Sequence, residues 1–75
     1  MPAPEPTLKK FGATVRAKRE AQRLSQEALA ERADLDRTYI GGIERGERNP
    51  GLKNVVRVAK ALKISVSELC AGIDR

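Results

Sequence analysis

Residues 25–46 read SQEALAERADLDRTYIGGIERG, and this stretch is the strongest indication of the fold. Its pattern predicts two short helices joined by a tight turn. Ser25 is a suitable N-cap for the first helix, because its hydroxyl can accept hydrogen bonds from the free backbone amides of the first turn. Asp36 caps the second helix in the same way. Gly46 is expected to end that helix in the left-handed conformation, which glycine tolerates best.

The second helix of this pair carries groups suited to DNA. Its inward positions are Ile40, Ile43 and Glu44, which leaves on the outside Arg37, Thr38, Tyr39, Gly41 and Gly42. An arginine fork matches guanine in the major groove, and threonine offers a hydroxyl and a methyl group to thymine. Helices that read base edges present such groups from their first turn. We therefore expect Arg37 and Thr38 to contact bases, with Tyr39 close to the DNA backbone or a thymine methyl.

The run LDRTYI at residues 35–40, followed by GIER at residues 42–45, resembles the helix-turn-helix of the phage repressor and Cro family. It is more specifically similar to the controller proteins of restriction–modification systems. The resemblance extends over residues 11–70 and implies an all-α, five-helix, lambda-repressor-like domain. It also implies a transcriptional regulator that binds double-stranded DNA. The family usually has serine where this chain has Gly41, so one polar side chain is missing from the expected DNA-facing surface.

Charge and composition agree with a polyanionic partner. The chain has 75 residues, with 15 Lys and Arg against 10 Asp and Glu, and a net charge of +5. This length suits one small domain, which is marginally stable alone and benefits from a partner subunit. An excess of basic over acidic residues favours binding to nucleic acid. Aromatic residues are only 3% of the chain, which argues against single-strand binding by base stacking.

Several classes of function are excluded by what the sequence lacks. It has no histidine and one cysteine, Cys70, which removes zinc fingers, internal disulfides and serine–histidine chemistry. No residue set resembles a nucleophile and its base, so we expect no enzyme, cofactor, metal or small-molecule ligand. No apolar run approaches the ~20 residues of a membrane span, and residues 1–6 lack the pattern of a signal peptide. We therefore expect a cytoplasmic protein with no membrane partner.

Helical spacing predicts five helices, at residues 8–23, 26–33, 37–45, 52–62 and 66–71. Residues 1–6 are rich in proline and are predicted to be a disordered lead before a domain at residues 7–75. Thr7 is expected to cap the first helix, and Ser65 the last. The fourth helix is expected to bury one apolar face, formed by Leu52, Val55, Ala59 and Leu62.

A charge lies on the apolar face of the first predicted helix. Arg19 continues the row that begins with Leu8, Phe11 and Val15. A partly buried charge needs an opposite charge, or it costs several kcal/mol. Glu44 lies on the inner face of the second helix of the pair, so we predict a structural ion pair between Arg19 and Glu44. The family carries a matching pair at these positions, and the alternative is two separately solvated charges.

Contacts with the DNA backbone are expected beside the second helix of the pair, here called the reading helix because it is expected to contact bases. The resemblance matches Gln26 to the family's phosphate-contacting glutamine. The following loop and the first amides of the fourth helix are suited to phosphate, which adds Arg48, Asn49, Lys53 and Asn54. The alternative for this group is an ordinary helix start with solvated charges.

The end of the chain carries surplus apolar residues, which often mark a partner site on a small domain. In the resembling family the last helix forms a two-fold dimer contact, which implies a homodimer interface made by Val66, Leu69, Cys70 and Ile73. The alternative is that these residues fill a small core. A two-fold dimer implies a near-palindromic operator. Regulation then comes from occupancy: the protein either blocks a promoter or contacts RNA polymerase and activates it.

Two other functions remain open from the sequence. The chain is also compatible with the DNA-binding antitoxin of a toxin–antitoxin pair, although it has no long tail to wrap a toxin. It is compatible as well with a protein-interaction module that uses this fold without DNA. The lack of a large apolar patch on the outer face of the reading helix argues against that function.

Overall fold

Five α-helices pack around one apolar core in the computed structural model, which describes residues 5–75. In chain order they are α1 (Pro6–Ala21), α2 (Gln26–Ala33), α3 (Arg37–Glu44), α4 (Leu52–Ala61) and α5 (Val66–Leu69). Helix α3 packs against both α1 and α2, while α4 packs against α2 and α5. The predicted all-α, five-helix class is confirmed. Across residues 5–75, no helix is both long and apolar enough to cross a membrane.

Helix α1 begins earlier than the sequence predicted. Its N-cap is Glu5 and not Thr7, because the Glu5 carboxylate accepts a hydrogen bond from the Leu8 amide at 3.1 Å. Pro6 follows at the first helical position, where the missing N–H has no intrahelical partner to lose. Of the predicted disordered lead, residues 1–4 lie outside the described residues. Its last two residues instead start the helix.

Left-handed residues reverse the chain where helices end. Arg23, Asp34 and Lys63 have φ of 57°, 57° and 59°, although each carries a Cβ. This conformation costs a residue with a Cβ roughly 1–2 kcal/mol, so the packing of the helices must hold these turns. After α3 the left-handed residue is Gly46, with φ of 76°, as predicted. Helices α1, α3, α4 and α5 all end one or two residues before their predicted bounds.

The core draws on every helix. Its largest fully buried side chains are Val15, Leu29, Ile40, Ile43, Val58, Leu62 and Leu69. Burying an aliphatic side chain of this size contributes about 1.5–3 kcal/mol. Because α3 contributes two of them, its inner face is anchored and its opposite face is left outside.

The predicted core position of Leu52 is wrong. Leu52 begins α4 and is 76% exposed. Helix α4 buries Val58, Ala59 and Ala61, with Leu62 directly after it. At 100° per residue, the centre of this face lies about 100° from Leu52. The buried face of α4 is thus rotated away from its first residue.

Helix α1 lies directly on the C-terminal end of α3, and Gly12 makes this close approach possible. A Cβ at Gly12 would lie against the Ile43 carbonyl oxygen and 2.6 Å from the Glu44 carbonyl oxygen. Backbone atoms of α3 cannot move aside as a flexible side chain can. Only a residue without a side chain therefore allows α1 and α3 to pack at this distance.

We predict that Gly12→Ala lowers the free energy of unfolding by about 3 kcal/mol or more, because the added methyl overpacks against backbone. Urea denaturation measures the effect. The matched control is Gly51→Ala, where a Cβ would meet nothing within 4 Å and the expected loss is below about 1 kcal/mol. Equal losses for the two variants would show that the approach of α1 to α3 is not limited by Gly12.

Candidate nucleic-acid interface

The candidate interface is the outer surface of α3 together with the starts of α2 and α4. Polar caps position both helices of the motif. Ser25 Oγ accepts from the Ala28 amide at 3.0 Å, and Asp36 Oδ1 accepts from the Thr38 amide at 2.7 Å. Between the helices, Leu35 packs against the core. The turn is thus held from both sides, so the first turn of α3 points away from the core.

A buried ion pair joins α1 to α3. Arg19 Nε donates to Glu44 Oε2 at 2.7 Å, and Arg19 Nη2 donates to Glu44 Oε1 at 3.0 Å. The other terminal nitrogen donates to the Leu24 carbonyl at 2.8 Å. The two charged side chains are 11% and 3% exposed, so the ion pair expected from the sequence forms inside the protein. Hydrogen bonding to Glu44 raises the pKa of the Arg19 guanidinium, although burial opposes the shift.

Gln26 shares the same carboxylate. Its Nε2 donates to Glu44 Oε1 at 3.0 Å, and the side chain is half-buried at the start of α2. This bond uses one of the two amide hydrogens and leaves the other for a phosphate oxygen. Gln26 therefore has a structural contact with Glu44 and a second amide hydrogen that this contact does not use.

The structure separates the three residues expected to contact bases. Arg37 and Thr38 are exposed on the first turn of α3, where the sequence placed them. Tyr39 is half-buried and packs against the core. Its hydroxyl accepts a hydrogen bond from Asn54 Nδ2 at 3.2 Å, which ties α3 to the first turn of α4. Tyr39 is thus less available to DNA than its two neighbours.

The sequence placed Gly41 and Gly42 on the outside of α3, but in the structure both are buried. The Arg45 guanidinium and the Gln26 side chain lie over Gly41, while the Arg48 side chain lies over Gly42. Long arginine side chains thus fill the space that two missing Cβ atoms leave on α3. The spacing of four between Gly41 and Arg45 was the signal in the sequence that could have indicated this cover.

The residues expected to flank the reading helix lie in the loop between α3 and α4 and in the first turn of α4. Arg48, Asn49 and Lys53 are exposed, and Asn54 is half-buried. The hydrogen bond from Asn54 to Tyr39 places the first turn of α4 beside the first turn of α3. Basic and amide groups from two helices and a loop therefore adjoin the outer surface of α3.

The expected dimer residues are only partly at the surface. Leu69 is fully buried in the core of this chain, so its side chain has no exposed area to offer a second subunit. Val66, Cys70 and Ile73 are half-buried against the core. Cys70 and Ile73 line a shallow apolar groove together with Val55 of α4. The exposed Leu52, one turn before Val55, adds an apolar surface residue that the sequence analysis had placed in the core.

The helix-turn-helix family model matches residues 15–69 of this chain. The chain belongs to the helix-turn-helix family. The control protein C.MunI of Mycoplasma sp is 43% identical over 58 residues, which cover 77% of this chain and 78% of that protein. The control protein C.BamHI of Bacillus amyloliquefaciens is 47% identical over 60 residues, covering 79% of this chain and 74% of that protein.

Solved structures of controller proteins have the same fold. The restriction–modification controller protein C.AhdI from Aeromonas hydrophila superposes with a TM-score of 0.82 at 52% identity, covering 83% of this chain and 94% of that protein. The lambda-repressor-like arrangement expected from the resemblance is therefore confirmed. This helix-turn-helix chain is a DNA-binding transcriptional regulator similar to the controller proteins.

We predict that Glu44→Ala lowers the free energy of unfolding by about 3–5 kcal/mol, because it leaves the Arg19 guanidinium buried without its partner. The cycle is completed by Arg19→Met and by the double variant Arg19→Met with Glu44→Ala, which should lose less than the two single substitutions added together. Urea denaturation of all four proteins measures the coupling. The control is the exposed Arg16–Glu20 pair, 64% and 55% exposed, where Arg16→Ala should cost at most about 1 kcal/mol. Additive losses at Arg19 and Glu44 would contradict a coupled pair.

A second prediction concerns the N-cap of α3. The hydrogen bond from the Thr38 amide lowers the pKa of Asp36 below its ordinary value of 3.8. The charged carboxylate is favoured in the folded state, so its contribution is complete above the unfolded pKa and is lost as pH falls through the folded pKa. Thermal unfolding between pH 7 and pH 2 should therefore show wild type losing its advantage over Asp36→Asn below about pH 4. A difference that is constant with pH would rule out this role for the charge.

Proposed function

We propose that this chain binds a near-palindromic operator in double-stranded DNA as a homodimer, and that it serves as the controller protein of a restriction–modification system. The observation that carries the proposal is the exposed first turn of α3, held outward by the buried Arg19–Glu44 pair. A helix so presented fits the major groove. The similarity to control proteins supports the restriction–modification context.

Base reading is assigned to the first turn of α3. The Arg37 guanidinium pairs with guanine O6 and N7, and Thr38 contacts a neighbouring base through its hydroxyl or methyl. Tyr39 has a different role, because its hydroxyl already accepts a hydrogen bond from Asn54. Its remaining hydroxyl hydrogen is available to a phosphate oxygen at the edge of the groove.

Backbone contacts are assigned to the residues around α3. Gln26 offers its second amide hydrogen at the start of α2, and Lys53 offers a charge at the start of α4. Arg48, Asn49 and Asn54 extend the same surface. These groups set the position of the protein on the duplex without reading sequence.

The dimer interface is assigned to the apolar surface beside α5. Val66, Cys70 and Ile73 contribute their exposed parts, and Leu52 contributes a side chain that is 76% exposed. Burying this surface against a second copy adds the stability that a small domain lacks. A two-fold dimer places the recognition helices about 34–36 Å apart, one turn along the duplex.

Regulation follows from where the dimer binds. Occupancy of its operator in the cytoplasm either blocks a promoter or places the protein against RNA polymerase. Binding and regulation require no cofactor, metal or small-molecule ligand, and no enzymatic step. The effect on transcription is thus set by the position of the operator relative to the promoter.

Selection from random-sequence duplexes at physiological salt tests the proposal. Sequencing of the bound fraction should give an inverted repeat with half-sites about one helical turn apart. Recovery of a single half-site would contradict the dimer. Binding without sequence preference that disappears at modest salt would contradict sequence-specific reading altogether.

We predict different effects for a base-reading and a phosphate-contacting residue. Arg37→Ala should cost about 1–3 kcal/mol on the selected operator and relax the preference at one base pair of each half-site. Lys53→Ala should weaken binding to all duplexes. It should also reduce the slope of the logarithm of the binding constant against the logarithm of the salt concentration, by about one for each phosphate that Lys53 neutralises in the wild type. Fluorescence anisotropy over a range of salt concentrations measures both, with Lys10→Ala on α1 as the control. Equal weakening of all sequences by Arg37→Ala would refute its base-reading role.

A further inference from the structure

Three residues form one row along α3. Arg37, Gly41 and Arg45 are spaced by four, and residues so spaced lie on the same helix face. Both arginines are exposed, whereas Gly41 between them is buried. The row therefore consists of two cations with a gap between them on the outer surface of α3.

Two side chains cover that gap. A Cβ at Gly41 would lie 3.1 Å from Arg45 Nη1 and 3.4 Å from Gln26 Oε1. A contact of 3.1 Å is tighter than most side-chain packing, so even alanine would shift the guanidinium by a few tenths of an ångström. Serine would add an oxygen beyond the Cβ. The observed position of Arg45 therefore depends on glycine at position 41.

The neighbours of Gly41 are themselves oriented. Arg45 Nε forms an ion pair with Glu47 Oε1 at 3.1 Å, with side chains 57% and 54% exposed. Gln26 Nε2 is bound to the Glu44 carboxylate, which directs the Gln26 oxygen toward Gly41. An exposed ion pair contributes little stability, but it orients the guanidinium. Glu47 pairs at Nε, so both terminal nitrogens of Arg45 remain as a donor fork.

We propose that Arg45 is a second base-reading residue, specific for guanine in the major groove, and that Gly41 determines this specificity by leaving room for it. The proposal rests on the proposed DNA-binding function and deepens it. A guanidinium fork with two donors matches O6 and N7 of guanine. A side chain at position 41 displaces the Arg45 guanidinium from this position and weakens its directional hydrogen bonds to that base.

The distance between the two arginines locates the second base. Eight residues of α-helix span about 12 Å, which corresponds to three or four base-pair steps of about 3.4 Å each. Arg37 and Arg45 therefore read different base pairs of one half-site. The selected half-site should contain two guanines that respond to different substitutions.

The test repeats the random-duplex selection with Arg45→Ala, Gly41→Ala and Gly41→Ser. Arg45→Ala should lose the preference for one guanine, distinct from the one lost in Arg37→Ala, and bind the wild-type operator about 5- to 150-fold more weakly. Both Gly41 variants should weaken the preference at the guanine that Arg45 reads. The control is Arg16→Ala, which removes a similarly exposed, similarly paired arginine from α1 and should leave the selected motif unchanged.

A double-variant cycle separates the two residues. If Gly41 acts through Arg45, Gly41→Ala weakens operator binding in the wild type but has less than about twofold effect when Arg45 is already alanine. Thermal unfolding checks that the fold is intact, since alanine favours a helix more than glycine does. Gly41→Ala should therefore have an unchanged or higher Tm while it binds the operator more weakly.

The outcomes distinguish this proposal from the one on which it rests. If the wild type selects an inverted repeat and Arg45→Ala weakens operator and scrambled duplex equally, Arg45 contacts phosphate and only this proposal falls. If Gly41→Ala changes the motif equally in the absence of Arg45, the role of Gly41 through Arg45 is refuted. If the wild type selects no motif, both proposals fall together.

Discussion

Three helices of this domain meet at one buried carboxylate. Glu44 of α3 accepts two hydrogen bonds from Arg19 of α1 and one from Gln26 of α2. Burying two charges is costly unless their hydrogen bonds are satisfied, and no buried side-chain nitrogen or oxygen in residues 5–75 is left without a partner. Few arrangements of α1, α2 and α3 meet that condition. The ion pair therefore restricts the helices to one geometry, which the apolar core alone would specify less strictly.

The same carboxylate connects the interior to the outer surface of α3. Gln26 binds Glu44 through its nitrogen and approaches Gly41 with its oxygen. Arg45 covers the other side of Gly41. Two contacts thus lead from a buried charge to the surface assigned to DNA. A residue that contacts a base needs a fixed starting position, because small displacements weaken directional hydrogen bonds. The motif obtains this rigidity from groups that also stabilise the fold.

Close backbone packing and the apolar core complete this arrangement. Gly12 lets α1 lie against the end of α3, at the same junction that the Arg19–Glu44 pair closes. Ile40 and Ile43 hold the opposite face of α3 in the core. Left-handed turns at residues with a Cβ, such as Asp34 before α3, show that tertiary contacts outweigh local backbone preference here. The reading helix is short, and its position is determined by its neighbours more than by its own helix propensity.

The features that rest on local chemistry and periodicity could be predicted from the sequence. These are the caps at Ser25 and Asp36, the left-handed Gly46, and the misplaced charge that predicted the Arg19–Glu44 pair. Which residues are exposed could be read only from the packed helices. Leu69 is buried, Leu52 is exposed, and arginine side chains cover two glycines of α3. The reason is physical. Periodicity reports which face of a helix is apolar, whereas the exposure of one residue depends on how far a neighbouring element extends. The position of a long flexible side chain likewise depends on the space that remains after the helices have packed.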